Sequence, residues 1–273
     1  MAHTMNERFE VRRVVVALDA LCDNRGALAV ASDLAARWRC AFAGVFVVDA
    51  SLVHLGALPG VRQVRLSGGG VQPLEASDLE ADIAARERQA RRAVAEAAGR
   101  LGTTYSFSVA RGSLSEELAG LGGDDLLIVE GTARRYGDRA GLESRWRRVA
   151  ERVRNPVLLL RRRAAAPGPV VGLYDGGPGS VRAIAAAGLL AADRGSPLLV
   201  VIGSDADAQA EAALAEVLAA LRPPPRFVRV AADDSAAWRR AVAAARPALL
   251  VVPTAMSDER WASAGDADVL LMR

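Results

Sequence analysis

The chain has 273 residues, 51% hydrophobic and 25% charged, enough for one large domain or two ordinary ones with a sizeable core. All 35 basic residues are arginine, which excludes a Walker-type phosphate lysine, a pyridoxal Schiff base and a lysine general base. The net charge of +3 is unevenly spread: residues 1–163 carry 25 Arg against 20 acids, and residues 164–273 carry 10 Arg against 12 acids.

Arg12–Ala20 is a short β-branched apolar run ending near Asp19, and it reads as a strand. An Ala-rich helical stretch follows over Gly26–Trp38, then a strand over Ala41–Val48, a helix over Leu79–Leu101 and a strand over Thr104–Ala110. A short helix over Leu114–Leu121 leads to strands at Asp125–Glu130 and Pro156–Leu160. The pattern then starts again. Pro169–Gly177 is a strand and turn with Asp175 in the place of Asp19, followed by a helix over Ser180–Asp193. A strand at Pro197–Ile202, a helix at Ala206–Leu221, a strand at Arg226–Ala231 and a helix at Ala236–Ala245 come next. Strands at Ala248–Val252 and Asp268–Met272 close the second half.

Short strands alternating with amphipathic helices imply βαβ units and a parallel sheet, and uninterrupted apolar strands imply helices on both faces. The same order occurs twice, so the expected architecture is a tandem duplication. The expected division is 1–163 and 164–273, joined through the Ala/Pro/Gly-containing linker Arg161–Pro169.

The strand-end aspartates, the turn Asp175–Ser180, and the stretches Val109–Leu118, Asp125–Thr132 and Val149–Leu160 carry a family likeness. The chain resembles a tandem universal stress protein, two UspA-type domains fused. The resemblance implies two Rossmann-like α/β domains, each a five-stranded parallel sheet with helices on both faces. It also implies that the terminal strands Val157–Leu160 and Val269–Met272 pair antiparallel, as an internal pseudo-dimer. Two such chains are expected to form a homodimer.

Ligands of doubly wound sheets bind beyond the carboxyl ends of the strands, where strand order reverses. In the first half the resemblance gives Asp19 to ribose hydroxyls and the backbone of Val48 to an adenine edge. Asp19 is equally suited to capping the helix that follows. Nucleotide-binding relatives close on phosphate with Gly-x-x-Gly and a later Gly-Ser or Gly-Thr, because glycine lets backbone N–H groups approach closely. This chain keeps Gly131 and Thr132, but Arg134 stands at the second glycine position, and Ser144–Val153 lacks the later pair. The second half has no glycine loop after its fourth strand.

Eleven Arg and three acids lie between Arg134 and Arg163. These guanidinium groups either fork onto an anion or form a solvated face. The expected state is a non-enzymatic binding or regulatory protein of the stress response that holds no cofactor in the usual way. An adenine nucleotide sensed through Asp19, Val48, Gly131, Thr132 and Arg134 is the alternative, and a nucleotide hydrolase ranks last. A small anionic ligand or a protein is the expected partner class. Nucleic acid is disfavoured because aromatic interleaving is lacking.

The remaining features carry less. His3 and His54 are the only histidines, too few for a histidine metal site or triad, and no catalytic or metal residue is assigned. Cys22 and Cys40 lack CxxC spacing and read as small residues of a reduced protein. The insert 50–78 occurs only in the first half and reads as a lid, a dimer contact or a surface loop, with Val61–Ser67 alternating like an edge strand. No apolar run is long enough to span a membrane and no signal-peptide segment is evident, so a cytoplasmic location is expected.

Overall fold

Four consecutive apolar residues, Val14 to Ala17, are almost wholly buried in the first strand, and that burial decides the local architecture: a strand covered on both faces. The structure is a computed structural model and describes residues 9–20, 24–49, 60–64, 70–112, 122–130, 153–161, 167–204, 208–219, 221, 223–256 and 265–273. By contact the chain divides into two compact units, Arg13–Leu121 and Gly122–Arg273 together with Met1–Arg12.

The unit Arg13–Leu121 contains β1 (Arg13–Asp19), α1 (Arg25–Trp38), β2 (Ala41–Asp49), β3 (Arg62–Val64), β4 (Val71–Pro73), α2 (Ala76–Leu101) and β5 (Tyr105–Gly112). β2 lies between β1 and β5 and is parallel to both. Ile83, Val94, Ala97 and Ala98 form the buried stripe of α2, which packs on β2 and β5. Small side chains at the end of that stripe let the helix come close. The helix stops at Gly102, whose φ of 61° is the left-handed conformation that ends helices. Part of the insert forms an antiparallel β3–β4 hairpin. The expectation over Val61–Ser67 foresaw the first of these strands and not its partner.

The other unit contains β6 (Asp125–Glu130), β7 (Val157–Leu160), β8 (Val170–Tyr174), α3 (Pro178–Arg194), β9 (Leu198–Gly203), α4 (Ala208–Ala219), β10 (Arg226–Val230), α5 (Ser235–Ala245), β11 (Leu249–Pro253) and β12 (Asp268–Met272). Its strand order is β10-β9-β8-β11-β12-β7-β6. Every neighbouring pair is parallel except β12 and β7. From residue 164 onward the chain therefore forms the expected five-stranded parallel sheet, with order reversal at β8. α3 and α4 pack on each other. The α5 crossover runs back across the sheet, which a right-handed connection places on the opposite face.

β12 and β7 meet antiparallel, with Val269 opposite Leu159, Leu270 opposite Leu158 and Leu271 opposite Val157. All nine residues of these two strands are buried. The resemblance anticipated this pairing, which removes two apolar edges that would otherwise be open to other chains. The units drawn by contact differ from the expected division at residue 163: β6 and β7 lie before it in the chain and are in one sheet with β8 to β12.

Candidate functional site

Two strand-end clusters can be built from the residues upward, one in each unit. In Arg13–Leu121, Asp19 is the last residue of β1, opposite Val47 of β2, and only 8% exposed. The turn after it is held by Asn24. The Asp19 N–H donates to Asn24 Oδ1 at 2.9 Å, and Asn24 Nδ2 donates to the Asp19 carbonyl at 2.8 Å. Asn24 is also the residue that precedes α1, so the helix-cap position expected for Asp19 belongs to Asn24. The physical reason is distance: Asp19 lies five residues before Asn24, too far back to be the residue from which the helix starts.

β2 continues past β1. The β1 register ends at Asp19 opposite Val47, with the Ala20 N–H donating to the Val47 carbonyl at 3.1 Å. Val48 and Asp49 extend beyond, paired with Arg111 and Gly112 of β5. Val48 is 1% exposed. The structure thus brings Asp19 and Val48 to the same end of adjacent strands. Arg86 of α2 reaches this end too, donating to the Ala20 carbonyl at 3.0 Å. Nothing in the sequence links Arg86 to Ala20 across 66 residues, and Asn24 was not singled out in the sequence, although an Asn just ahead of a helical stretch is the signal that could have found it. Gly131, Thr132 and Arg134 lie outside the described residues, as do His54, Cys22 and most of the arginine run.

In the other unit the order reversal lies between β9 and β11, on either side of β8. Gly176 turns the chain with φ of 88° just after Asp175, a conformation that glycine adopts without a Cβ clash. The Asp175 carboxylate then folds back on its own turn. It accepts from the Gly177 N–H at 2.9 Å and from Ser180 Oγ, and Ser180 Oγ accepts from the Asp175 N–H at 3.3 Å. Ser180 is fully buried. Arg273 lies against the first turn of α3. Its carbonyl carbon is 3.6 Å from the position a Cβ would take on Gly179, and its carbonyl oxygen accepts from Arg182 at 3.2 Å. β11 runs through Pro253 into a turn of 3-10 helix, Thr254–Met256, whose Met256 is buried. Among the described residues no group of three His, Cys, Asp or Glu is arranged to hold a metal.

Cys40 is buried, and burial pushes its thiol above the usual range, which makes it an unreactive core residue. No described helix is long and apolar enough to cross a membrane.

No protein-family model matches the chain, and no curated protein matches it. Solved structures do. A universal stress protein from Archaeoglobus fulgidus DSM 4304 superposes with a TM-score of 0.62 at 13% identity, over 97% of each chain. The chain has the fold of the universal stress proteins. A putative universal stress protein from Pseudomonas aeruginosa UCBPP-PA14 is similar at 16% identity and a TM-score of 0.51, over 96% of this chain and 93% of that one. A protein of unknown function from Pseudomonas aeruginosa PAO1 gives the same TM-score, 0.51, at 15% identity. Within its unit the strand order reverses at β8, and Asp175 follows directly on that strand.

Proposed function

We propose that this chain is a tandem universal stress protein, two UspA-type copies joined near residues 161–169, that works by binding or regulation and not by catalysis. In this reading neither copy holds ATP in the family's usual way. The observation that carries it is the Asp175 turn. Its carboxylate is engaged by Gly177 and Ser180, and the exit from β11 is Pro253 and a tight turn instead of a glycine loop. A phosphate chain needs unobstructed backbone N–H groups. In the first copy the sequence supports the same reading, since Arg134 replaces the glycine that would permit close approach. A stress-response role, a cytoplasmic location and a homodimer belong to this proposal. No catalytic residue is assigned in this reading.

A second reading is favoured by one observation. Asp19 and Val48 share the carboxyl end of β1 and β2, the arrangement that suits a ribose and an adenine edge. An adenine nucleotide held by its nucleoside, with arginine at the phosphates, would use it.

Thermal melting with ATP, ADP, AMP, cyclic nucleotides and inorganic phosphate separates the two. A ligand at 100 times its dissociation constant adds about 2.7 kcal/mol, an easily measured rise in melting temperature. The first reading expects no rise with any of them. A rise with AMP or ADP that Asp19→Ala abolishes establishes the second.

A further inference from the structure

β5 is the terminal strand of its unit, and among the described residues it pairs with β2 alone. Tyr105 is 48% exposed, Ser106 and Ser108 are exposed, and Phe107 and Val109 are half-buried. One hydrogen bond sets the directions of the backbone. The Phe42 N–H of β2 donates to the Thr104 carbonyl at 3.4 Å, so the polar groups of residue 104 face β2. By alternation those of Ser106, Ser108 and Ala110 also face β2. The N–H and C=O groups of Tyr105, Phe107, Val109 and Arg111 therefore point away from the sheet. The side chains alternate too. Phe107 lies on the α2 side, its ring 3.2 Å from the place of a Cβ on Gly44 and its centre 4.4 Å from the Arg91 guanidinium. Ser106 and Ser108 stand on the opposite face, in solvent.

Edge strands are ordinarily guarded by charge, proline, a bulge or short length. β5 has none of these before Arg111. It is eight residues long, pairs with β2 in unbroken register, and carries no charge or proline from Tyr105 to Ala110. Such an edge is a template for another strand, and a second β5 running antiparallel fits it. Outward-facing residues must stand opposite each other to exchange both N–H···O bonds. Placing Phe107 opposite the partner subunit's Val109 meets this condition on both sides of a two-fold axis. Tyr105 then faces the partner subunit's Arg111, and Ser108 faces the partner subunit's Ser108 on the axis. In this register all four outward-facing residues of each strand are paired. Sliding it by two residues in either direction leaves three. An aromatic side chain against a β-branched one is a favourable cross-strand pair, and so is hydroxyl against hydroxyl. Arg111 keeps its own acid, Glu87, at 3.9 Å, so the pairing asks for no free charge.

We propose that β5 is a homotypic docking edge through which two copies of this chain associate antiparallel, centred on Ser108. The inference rests on the homodimer of the proposed function, gives it a surface, and is independent of what the strand ends bind. One eight-residue strand per copy is a smaller contact than a standard stable interface, so the association is weak and concentration-dependent.

Sedimentation of the full-length chain across a concentration series, combined with charge reversal and cysteine cross-linking, tests this. Ser108→Arg sets two like charges opposite each other on the axis and should raise the dissociation constant about tenfold or more, as should Ser108→Asp. An equimolar mixture of the two variants sets opposite charges together and should restore the association, which also shows that each variant is folded. In a Cys22→Ser background, Ser108→Cys places two thiols at a non-hydrogen-bonded antiparallel pair, where Cα atoms approach to about 4.5 Å, within disulfide range. Mild oxidation should give a covalent dimer from Ser108→Cys and none from Ser106→Cys, which faces the partner subunit's Ala110. A wild-type chain that is monomeric at every concentration overturns the proposal and the homodimer with it. A dimer that Ser108→Arg leaves unchanged and Ser108→Cys does not trap overturns the proposal alone, because the copies then meet elsewhere. Capture of a different protein by Ser108→Cys, with no homodimer, would overturn it as well.

Discussion

Asn24 and Asp19 hold each other through reciprocal bonds, the Asn24 side-chain amide closing on the Asp19 N–H at 2.9 Å and on the Asp19 carbonyl at 2.8 Å. One side chain thereby satisfies both polar groups of the last β1 residue and fixes how the chain leaves the sheet. Asn24→Ala should lower the unfolding free energy by about 1–3 kcal/mol, because it strands a partly buried donor and an acceptor together. Asn24→Asp keeps the acceptor and should cost less. Urea unfolding of the two variants and the wild type measures the order.

Gly44 lies where α2 crosses β2. A Cβ there would stand 2.7 Å from one methyl of Val94 and 3.2 Å from the Phe107 ring. Val94 is β-branched and buried, so its methyl cannot swing aside without leaving its rotamer. Gly44→Ala should therefore destabilise by about 1–3 kcal/mol by overpacking, and Gly44→Ala with Val94→Ala should recover part of that loss. Thermal and urea melts check both.

Most element positions were legible because burial and periodicity agree. Asp125–Glu130 and Asp268–Met272 are observed with the expected ends, and both are fully buried strands. Helix starts were less legible. α3 begins at Pro178, two residues before the expected Ser180, because proline suits the first turn of a helix although it reads as a break. The β4 strand was hidden, since Pro73 and the glycines of 68–70 read as loop. At the site, Asp19 and Val48 were legible as a strand end and its neighbour. The contacts made by Arg86 and Ser180 were not, because no local pattern foretells which carbonyl a long arginine will reach or which hydroxyl a carboxylate will turn back to meet.

Asp234 precedes α5 and accepts from the Ala237 N–H at 2.8 Å, with Arg240 3.3 Å from its other oxygen. The Ala237 N–H is the main cause that holds its carboxyl below 3.8, with Arg240 adding to it. A folded pKa below the unfolded one means that the stabilisation is complete above about pH 4 and fades as pH falls through the folded value. Asp234→Asn cannot lose a proton-linked bond. Its melting temperature should lie below that of the wild type at pH 7, and the gap should close on acidification below about pH 4. Melting curves from pH 2 to pH 7 follow it.

The proposed function requires that the strand ends at Asp19 and Asp175 hold no triphosphate. Equilibrium dialysis of the purified full-length chain against labelled ATP in the millimolar range counts bound nucleotide directly. The predicted result is no saturable ATP in either copy. Saturable binding approaching one ATP per copy, lost on Asp19→Ala or Asp175→Ala, would contradict the account.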